Sequence, residues 1–303
     1  MDVSVIIVNY NTADLLAASV DSVLCQSGVS FEIIVIDNAS QDRSRATIAA
    51  YGNRIKTILN AHNVGFGKAN NMAFEQSDGR YIYLLNPDAV LQASDGLAKL
   101  VGYMDANTSV GIAGSRLIKN GEVREYMPKL HYPGEKYLSK PLEKLPGVFA
   151  WILGASLIIR REVYALAKGF DEEFFLYGEE ADLCLRVRRL GYSIGFCADV
   201  TVEHVGGASE RSSDVEVVQR KKQQALHKFY RKHYARDDVV RLLRKSRRRA
   251  AVQLLLIAIK KRLVGLDERQ SSRLSTYKVI FDSASAFLLD YKASDRAGER
   301  RSY

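Results

Sequence analysis

Cysteine is scarce in this chain. Cys25, Cys184 and Cys197 form no C-x-x-C pair, and their odd number leaves one over. That usage predicts reduced, mostly buried thiols and a cytosolic setting. Proline is also sparse, 5 in 303 residues, and with 47% hydrophobic and 26% charged residues the composition excludes disorder for most of the chain. Long apolar runs are missing, and none reaches the roughly 20 residues that span a bilayer, so an integral membrane protein is excluded. No basic region precedes the first apolar run, so no signal peptide is expected. The fingerprint G-x-G-x-x-G is absent after that run, as is the P-loop G-x-x-x-x-G-K-[ST]. Both absences disfavour a nicotinamide dehydrogenase or a P-loop ATPase. There is no internal repeat and no low-complexity segment.

Charge is present but unevenly placed. Residues 220–303 carry 23 Lys+Arg against 8 Asp+Glu, a net of +15, whereas the remaining 219 residues carry 21 against 27, a net of −6. The whole positive excess therefore lies in the last quarter and points to an anionic surface partner for it, nucleic acid or acidic lipid.

Up to about residue 113, apolar strands alternate with amphipathic helices. VSVIIV (3–8), FEIIVI (31–36), residues 55–59, YIYLL (81–85) and residues 110–113 read as strands. Thr12 is placed to cap a helix in which Leu15, Leu16, Val20, Val23 and Leu24 recur at helical spacing. Further helices are expected over 68–76 and 94–104. The alternation predicts an α/β fold with a mostly parallel sheet covered by helices on both faces. Residues 121–148 are irregular and hold Pro128, Pro133, Pro141 and Pro146, which predicts a long surface excursion. Order returns over 149–160, a polar acidic helix follows at 179–190, and a short strand is expected at 191–197. Beyond residue 217 the pattern is helical only, so the boundary is set as 1–216 for the α/β domain and 217–303 for a basic helical extension.

Ligands of open parallel sheets bind outside the carboxyl ends of the strands. Three polar stretches stand there: Asn9-Tyr10-Asn11, Asp37-Asn38-Ala39-Ser40 and Asn86-Pro87-Asp88. With them come VSVIIVNYN (3–11), VIDNAS (35–40), NVGFGKANN (63–71), LLNPDAV (84–90), GASLIIRREV (154–163), GFDEEFFLYGEEADLCLRVRRLGY (169–192) and VEHVGG (202–207). In this order they resemble the family-2 glycosyltransferases of the GT-A fold, and within them the bacterial rhamnosyltransferase-like branch. The resemblance covers roughly residues 1–210.

That resemblance implies an enzyme taking a sugar from a nucleoside diphosphate donor, with a divalent metal, Mn²⁺ or Mg²⁺. It matches Asp37 to a base-reading aspartate, a position where a helix-capping Asp is the alternative. It matches Asp88 to the last member of a metal-binding D-x-D whose first member is here Asn86, where a plain turn is the alternative. His204 matches a late histidine that returns to the metal, a ligand suited to Mn²⁺. Asn9, Asn11, Asn38, Asn63, Gly65, Lys68 and Asn70 (or Asn71) join the implied donor side, the glycine allowing close backbone approach and the lysine opposing phosphate charge. Glu180 matches the general base, with Glu179 as the fallback. Trp151, Gly154, Ala155 and Asp182 border the implied acceptor side, although Asp182 can instead orient its helix or pair with Arg186 at i+4.

In the extension, Arg244-Lys245-Ser246-Arg247-Arg248-Arg249 precedes AAVQLLLIAI and Lys260-Lys261-Arg262 follows it. A short apolar helix between basic flanks fits an anionic membrane surface; packing on the catalytic core or on a second subunit, as in a homodimer, is the alternative. A nucleic-acid-binding protein is disfavoured because the basic residues do not interleave with aromatics. The expected reaction is inverting transfer, with L-rhamnose from dTDP-L-rhamnose the first choice of donor. UDP-glucose, UDP-galactose or UDP-N-acetylglucosamine are the alternatives. A lipid-linked or polysaccharide acceptor is expected, at the inner face of the cell membrane. A catalytically silent nucleotide-sugar binder is disfavoured by Asp37, Asp88, His204 and Glu180 together.

Overall fold

The computed structural model describes residues 1–119, 127–210, 213–265 and 267–299. It divides into two compact units, Met1–Tyr132 with Leu142–Arg211, and Pro133–Pro141 with Ser212–Tyr303.

The first unit is α/β. Its elements run β1 (Val3–Asn9), α1 (Ala13–Leu24), β2 (Phe31–Asp37), α2 (Ser44–Ala49), β3 (Lys56–Leu59), α3 (Phe66–Phe74), β4 (Tyr81–Leu85) and β5 (Ala89–Leu91). There follow α4 (Gly96–Ala106), β6 (Val110–Ile118), β7 (Ser156–Arg160), α5 (Arg161–Leu166), α6 (Glu179–Arg189) and β8 (Ser193–His204). The strands form a single sheet in the order β3-β2-β1-β4-β7-β6-β8-β5. Pairing is parallel in β3-β2-β1-β4 and between β6 and β8, and antiparallel where β7 and β5 join.

Successive side chains of a strand point to opposite faces, and both faces of this sheet are covered. Val3, Val5 and Ile7 of β1 pack with Leu16, Val20 and Val23 of α1 on one side. Ile6 and Val8 pack with Ala69 and Ala73 of α3, Phe170 and Val187 on the other. Burying each large apolar side chain contributes about 1.5–3 kcal/mol, which is why the run VSVIIV reads as a central strand with no polar face.

Two elements differ from expectation. Thr12 stands at the N-cap of α1 as expected, but its hydroxyl makes no capping bond and donates instead to Asn9 Oδ1 at 2.6 Å. The strand expected to stop at Cys197 continues to His204, because a register shift after Ser115–Cys197 lets it resume pairing from Thr201. Its last residues then pair with β5, setting Ala89 opposite His204. Cys184 and Cys197 are buried and Cys25 is exposed, all three as free thiols.

The second unit consists of α7 (Val215–His233), α8 (Arg236–Val264) and α9 (Glu268–Glu299), together with residues 133–141. Part of the expected surface excursion thus belongs with the helices: buried Asp238 accepts hydrogen bonds from Ser139 N at 2.9 Å and Ser139 Oγ at 3.1 Å, and Tyr234 donates to the Pro133 carbonyl at 2.6 Å. Residues 121–126 of the excursion lie outside the described residues. Among the described residues no helix is long and apolar enough to cross a membrane.

Candidate active site

The carboxyl ends of β1, β2 and β4 converge on a cleft lined by Tyr10, Asn38, Asn63, Gly65, Asn86, Asp88, Phe175 and Leu176 among others. Asn38 organises one wall. Its Nδ2 donates to Asn63 Oδ1 at 2.9 Å, and its Oδ1 accepts from Asn60 Nδ2 at 3.0 Å and Val64 N at 3.0 Å. Gly65 then turns the chain at φ +89°, where an added Cβ would stand 2.6 Å from the Phe175 carbonyl oxygen. Only glycine takes that backbone and that approach without strain.

Asp88 and His204 meet at the far wall, because the pairing of β5 with β8 closes a sequence gap of more than a hundred residues. Asp88 Oδ1 lies 3.2 Å from His204 Nε2, and Asp88 Oδ2 accepts from Gly206 N at 3.0 Å. Asn86 Nδ2 lies 3.4 Å from the same imidazole nitrogen. Burial works to raise the Asp88 carboxyl, but the hydrogen bond and charge of His204 and the Ala208 and Gly206 amides outweigh it and hold the group below its ordinary value. Asp88 is therefore an anion at neutral pH. A carboxylate beside an imidazole offers two ligands to a divalent cation. Among the described residues no group of three His, Cys, Asp or Glu gathers. The pair fits a hard ion that takes its other oxygens from a diphosphate and water, not one caged by protein alone.

An adjoining cleft shares Phe66, Asn86, Leu176 and Gly207 with the first and adds Gly154, Ala155, Tyr177, Glu179, Glu180, His204 and Glu210. Two of its carboxylates, Glu179 and Glu180, come from the first turn of α6, whose N-cap Gly178 stands in the left-handed region, φ +82°. Tyr177 just before it is also left-handed, φ +72°, and its hydroxyl donates to Glu210. Glu179 is buried, and Oε2 of both Glu179 and Glu180 is shut from solvent with no hydrogen-bond partner. Loss of solvent raises both carboxyls above the ordinary value; for Glu179 the neighbouring charge of Glu180 adds to the rise, and for Glu180 the Gly154 and Gly178 amides oppose it. Two neighbouring carboxyls, each with one oxygen left without a partner, line this cleft as a candidate acid–base group.

Several residues expected at the site stand elsewhere. Asp37 is fully buried, with Oδ1 taken by Asn9 Nδ2 at 3.2 Å and Oδ2 by Arg45 Nε at 2.9 Å and Ser40 N at 3.3 Å. Its neighbour Asn38, not Asp37, lines the cleft. Asn9 is likewise buried and braces the same turn through Ser40 Oγ at 3.0 Å. Asn11 stands at φ +53° and accepts from Gln41 N at 2.7 Å. Lys68 pairs with Glu172 at 3.0 Å on the surface. Asn70 is buried against its own helix, donating to the Phe66 carbonyl at 2.9 Å, while Asn71 accepts from Tyr164 Oη and Phe170 N. Trp151 donates to the His131 carbonyl at 3.1 Å, and Asp182 pairs with Arg186 at 2.7 Å; neither lines either of these two clefts. For Asp182 the helix-orienting alternative is the one realised. The aromatic wall of Tyr10, Phe66, Phe175 and Tyr177 went unnoticed in the sequence. The run Phe174-Phe175-Leu176-Tyr177 immediately before the acidic helix was the available signal.

The glycosyl transferase family 2 profile matches residues 4–165. An uncharacterized protein of Sinorhizobium fredii, y4gI, is 28% identical over 230 residues, which are 70% of this chain and 25% of that protein. The chain thus spans about a quarter of that relative. The O-antigen chain rhamnosyltransferase RfbN of Salmonella typhimurium is 23% identical over 209 residues, 67% of this chain and 66% of that one. Among solved structures, the mannosyltransferase PcManGT of Pyrobaculum calidifontis, in complex with GDP-Man and Mn²⁺, superposes with a TM-score of 0.58 at 17% identity, over 95% of this chain and 86% of that one. At that identity the likeness speaks for the fold, which is of the GT-A type.

Proposed function

The chain belongs to glycosyl transferase family 2, and from that premise we propose that it moves a sugar from a nucleoside diphosphate donor to an acceptor hydroxyl with inversion. One observation carries the reading. The Asp88–His204 pair, 3.2 Å apart, and the Glu180 carboxylate, whose Oε2 has no hydrogen-bond partner, face adjoining clefts that share Asn86. A leaving-group site beside a base site is what a single displacement at an anomeric carbon needs.

Asp88 and His204 would hold a divalent cation, Mn²⁺ or Mg²⁺, whose chemistry there is to offset the charge of the diphosphate. The walls at Asn38, Asn63 and Gly65 receive the nucleoside end, and Tyr10 and Phe175 give it apolar cover. The acceptor enters the second cleft at Gly154 and Ala155, where the absent side chain leaves room against Phe66 and Glu180. Glu180 takes the proton from the acceptor hydroxyl as that oxygen bonds to the anomeric carbon. The bond to the diphosphate oxygen breaks on the opposite face.

The likeness to an O-antigen rhamnosyltransferase supports dTDP-L-rhamnose as donor and a role in bacterial cell-surface glycan synthesis. A lipid-linked or polysaccharide acceptor on the cytoplasmic side of the membrane belongs to the same proposal. The test is a panel of nucleotide sugars with Mn²⁺, read as the shift in melting temperature. A donor at 100 times its Kd adds about 2.7 kcal/mol of stability. dTDP-L-rhamnose is expected to give the largest shift, and Asp88→Ala to abolish it. A larger shift with UDP-hexoses or UDP-N-acetylhexosamines moves the donor assignment to them, and no shift with any nucleotide sugar sinks the whole reading.

A further inference from the structure

We infer that the outward face of α8 is a docking surface for an anionic lipid bilayer, cationic over its first half and apolar over its second. Val239, Leu242, Leu243, Ala250 and Ile257 are buried within the helical unit and recur at helical spacing along one side of α8. Val252, Leu255, Leu256, Ile259 and Leu263 recur at the same spacing along the opposite side, with exposures from 48% to 77%. An amphipathic helix of a globular unit normally turns polar residues outward, so a second apolar stripe lacks a partner within the unit.

Ahead of the stripe, the same outward side carries Arg244, Arg248 and Arg249, exposed and without an acidic partner among the described residues. Arg241 is paired with Asp238, and Lys245 stands 3.5 Å over the Tyr137 ring, so these two are held within the unit. Lys260, Lys261 and Arg262 close the other end of the stripe.

Charge complementarity selects the occupant. Apolar residues bounded at both ends by cations match an interface whose headgroups are anionic and whose acyl region lies just beneath. A second copy docked on the same stripe would set one cationic rim against another, an unfavourable juxtaposition. At 1.5 Å per residue the stripe is about 16 Å long, half the hydrocarbon thickness, so the helix lies in the interface plane and does not span it.

The experiment is flotation of the full chain with phosphatidylcholine vesicles, with or without about 30% phosphatidylglycerol, in roughly 0.1 M salt. Binding is expected only with phosphatidylglycerol present. The triple variant R244E/R248E/R249E should lower it about a hundredfold or more, and L255Q/L256Q/I259Q about tenfold or more, by the usual contributions of charge and apolar area at such surfaces. The substitutions sit at exposed positions and keep good helix formers. V252Q/L263Q serves as an independent apolar variant should the first not fold. Absence of binding to the anionic vesicles overturns the inference, as does binding that survives both kinds of substitution. So does a Gln variant that turns a dimer into a monomer in sedimentation while vesicle binding is unchanged, which assigns the stripe to a second copy. No donor or acceptor enters the assay, so its failure is separate from failure of the transferase reading.

Discussion

Replacing Glu180 by Gln keeps the length and shape of the side chain and removes its basicity. Its Oε2 has no hydrogen-bond partner, and a Gln side-chain carbonyl can still accept from the Gly154 and Gly178 amides, so no ion pair is broken by the change. A positioned general base is worth about 10²–10⁴ in rate, or about 2.7–5.4 kcal/mol of barrier. That loss should fall on kcat, with the donor Kd within about twofold of the wild type by the same separation of roles. Burial raises the carboxyls of Glu179 and Glu180, and transfer needs the base ionised. The wild-type kcat/KM should therefore climb with pH through a midpoint above the ordinary carboxylate range. The charge of Glu180 adds to the rise of Glu179, so Glu179 is still protonated when Glu180 ionises, and Glu179→Gln should leave the midpoint in place while most of the rate is kept. The assay is nucleotide release across roughly pH 5 to 9, paired with calorimetric donor titration. Loss of the rate in Glu179→Gln with Glu180→Gln still active would reverse the assignment. A flat wild-type profile down to pH 5 would remove the buried-base account.

Glu179→Gln should also alter stability. A carboxyl whose pKa is raised by folding favours the folded state fully below its unfolded pKa and loses that contribution as pH rises through the folded pKa. The variant should thus melt higher than the wild type at pH 8 and not at pH 4; the same shift at both would refute the burial argument. Asp88→Ala and His204→Ala should each abolish Mn²⁺-dependent donor binding in titration calorimetry, and undiminished activity in EDTA would contradict the metal assignment. Asp37→Ala should cost about 1–3 kcal/mol in urea unfolding, because Asn9 Nδ2 and Ser40 N lose their acceptor. A change in nucleobase preference without that loss would return Asp37 to the site. Gly65→Ala should weaken donor binding and cost about 1–3 kcal/mol, since its Cβ would meet the Phe175 carbonyl at 2.6 Å in a left-handed backbone.

The sheet was legible because β-branched runs such as VSVIIV and FEIIVI tolerate no other role in a chain of this composition, and the helices between them follow from spacing alone. β5, three residues long, was not legible. Neither was the continuation of β8 past its irregularity, since both depend on a pairing between residues 89–91 and 202–204 that no local pattern announces. Yet that pairing is what joins Asp88 to His204. The partnership was reachable only through the order of motifs, not through the chemistry of either segment. The acidic turn of α6 was legible in position, but the contrast between its members was not. Glu179 and Glu180 take no ion-pair partner and each keeps one oxygen without a hydrogen bond, while Asp182, one turn on, is spent on Arg186.

The burial of Asp37 has the same physical origin and a sharper lesson. Strand-end logic selects the stretch Asp37-Asn38-Ala39-Ser40 but not which member faces the ligand, because adjacent residues leaving a strand point in opposite directions. Chemistry favours the charged residue as the reader of a base. Burial decides otherwise: a carboxylate enclosed by the sheet must be paired, and Asn9, Ser40 and Arg45 of α2 supply the partners. The neutral amide of Asn38 is left for the cleft side, where it fixes Asn63 and the turn at Gly65. Donor selectivity should then track the shape of that loop more than any single carboxylate. Asn38→Asp is the discriminating change, since a carboxylate there loses the donors to Asn63 Oδ1 and the Gly65 carbonyl. It should weaken every nucleotide of a donor panel by a similar factor. Selective loss of one base alone would show direct reading by residue 38 instead.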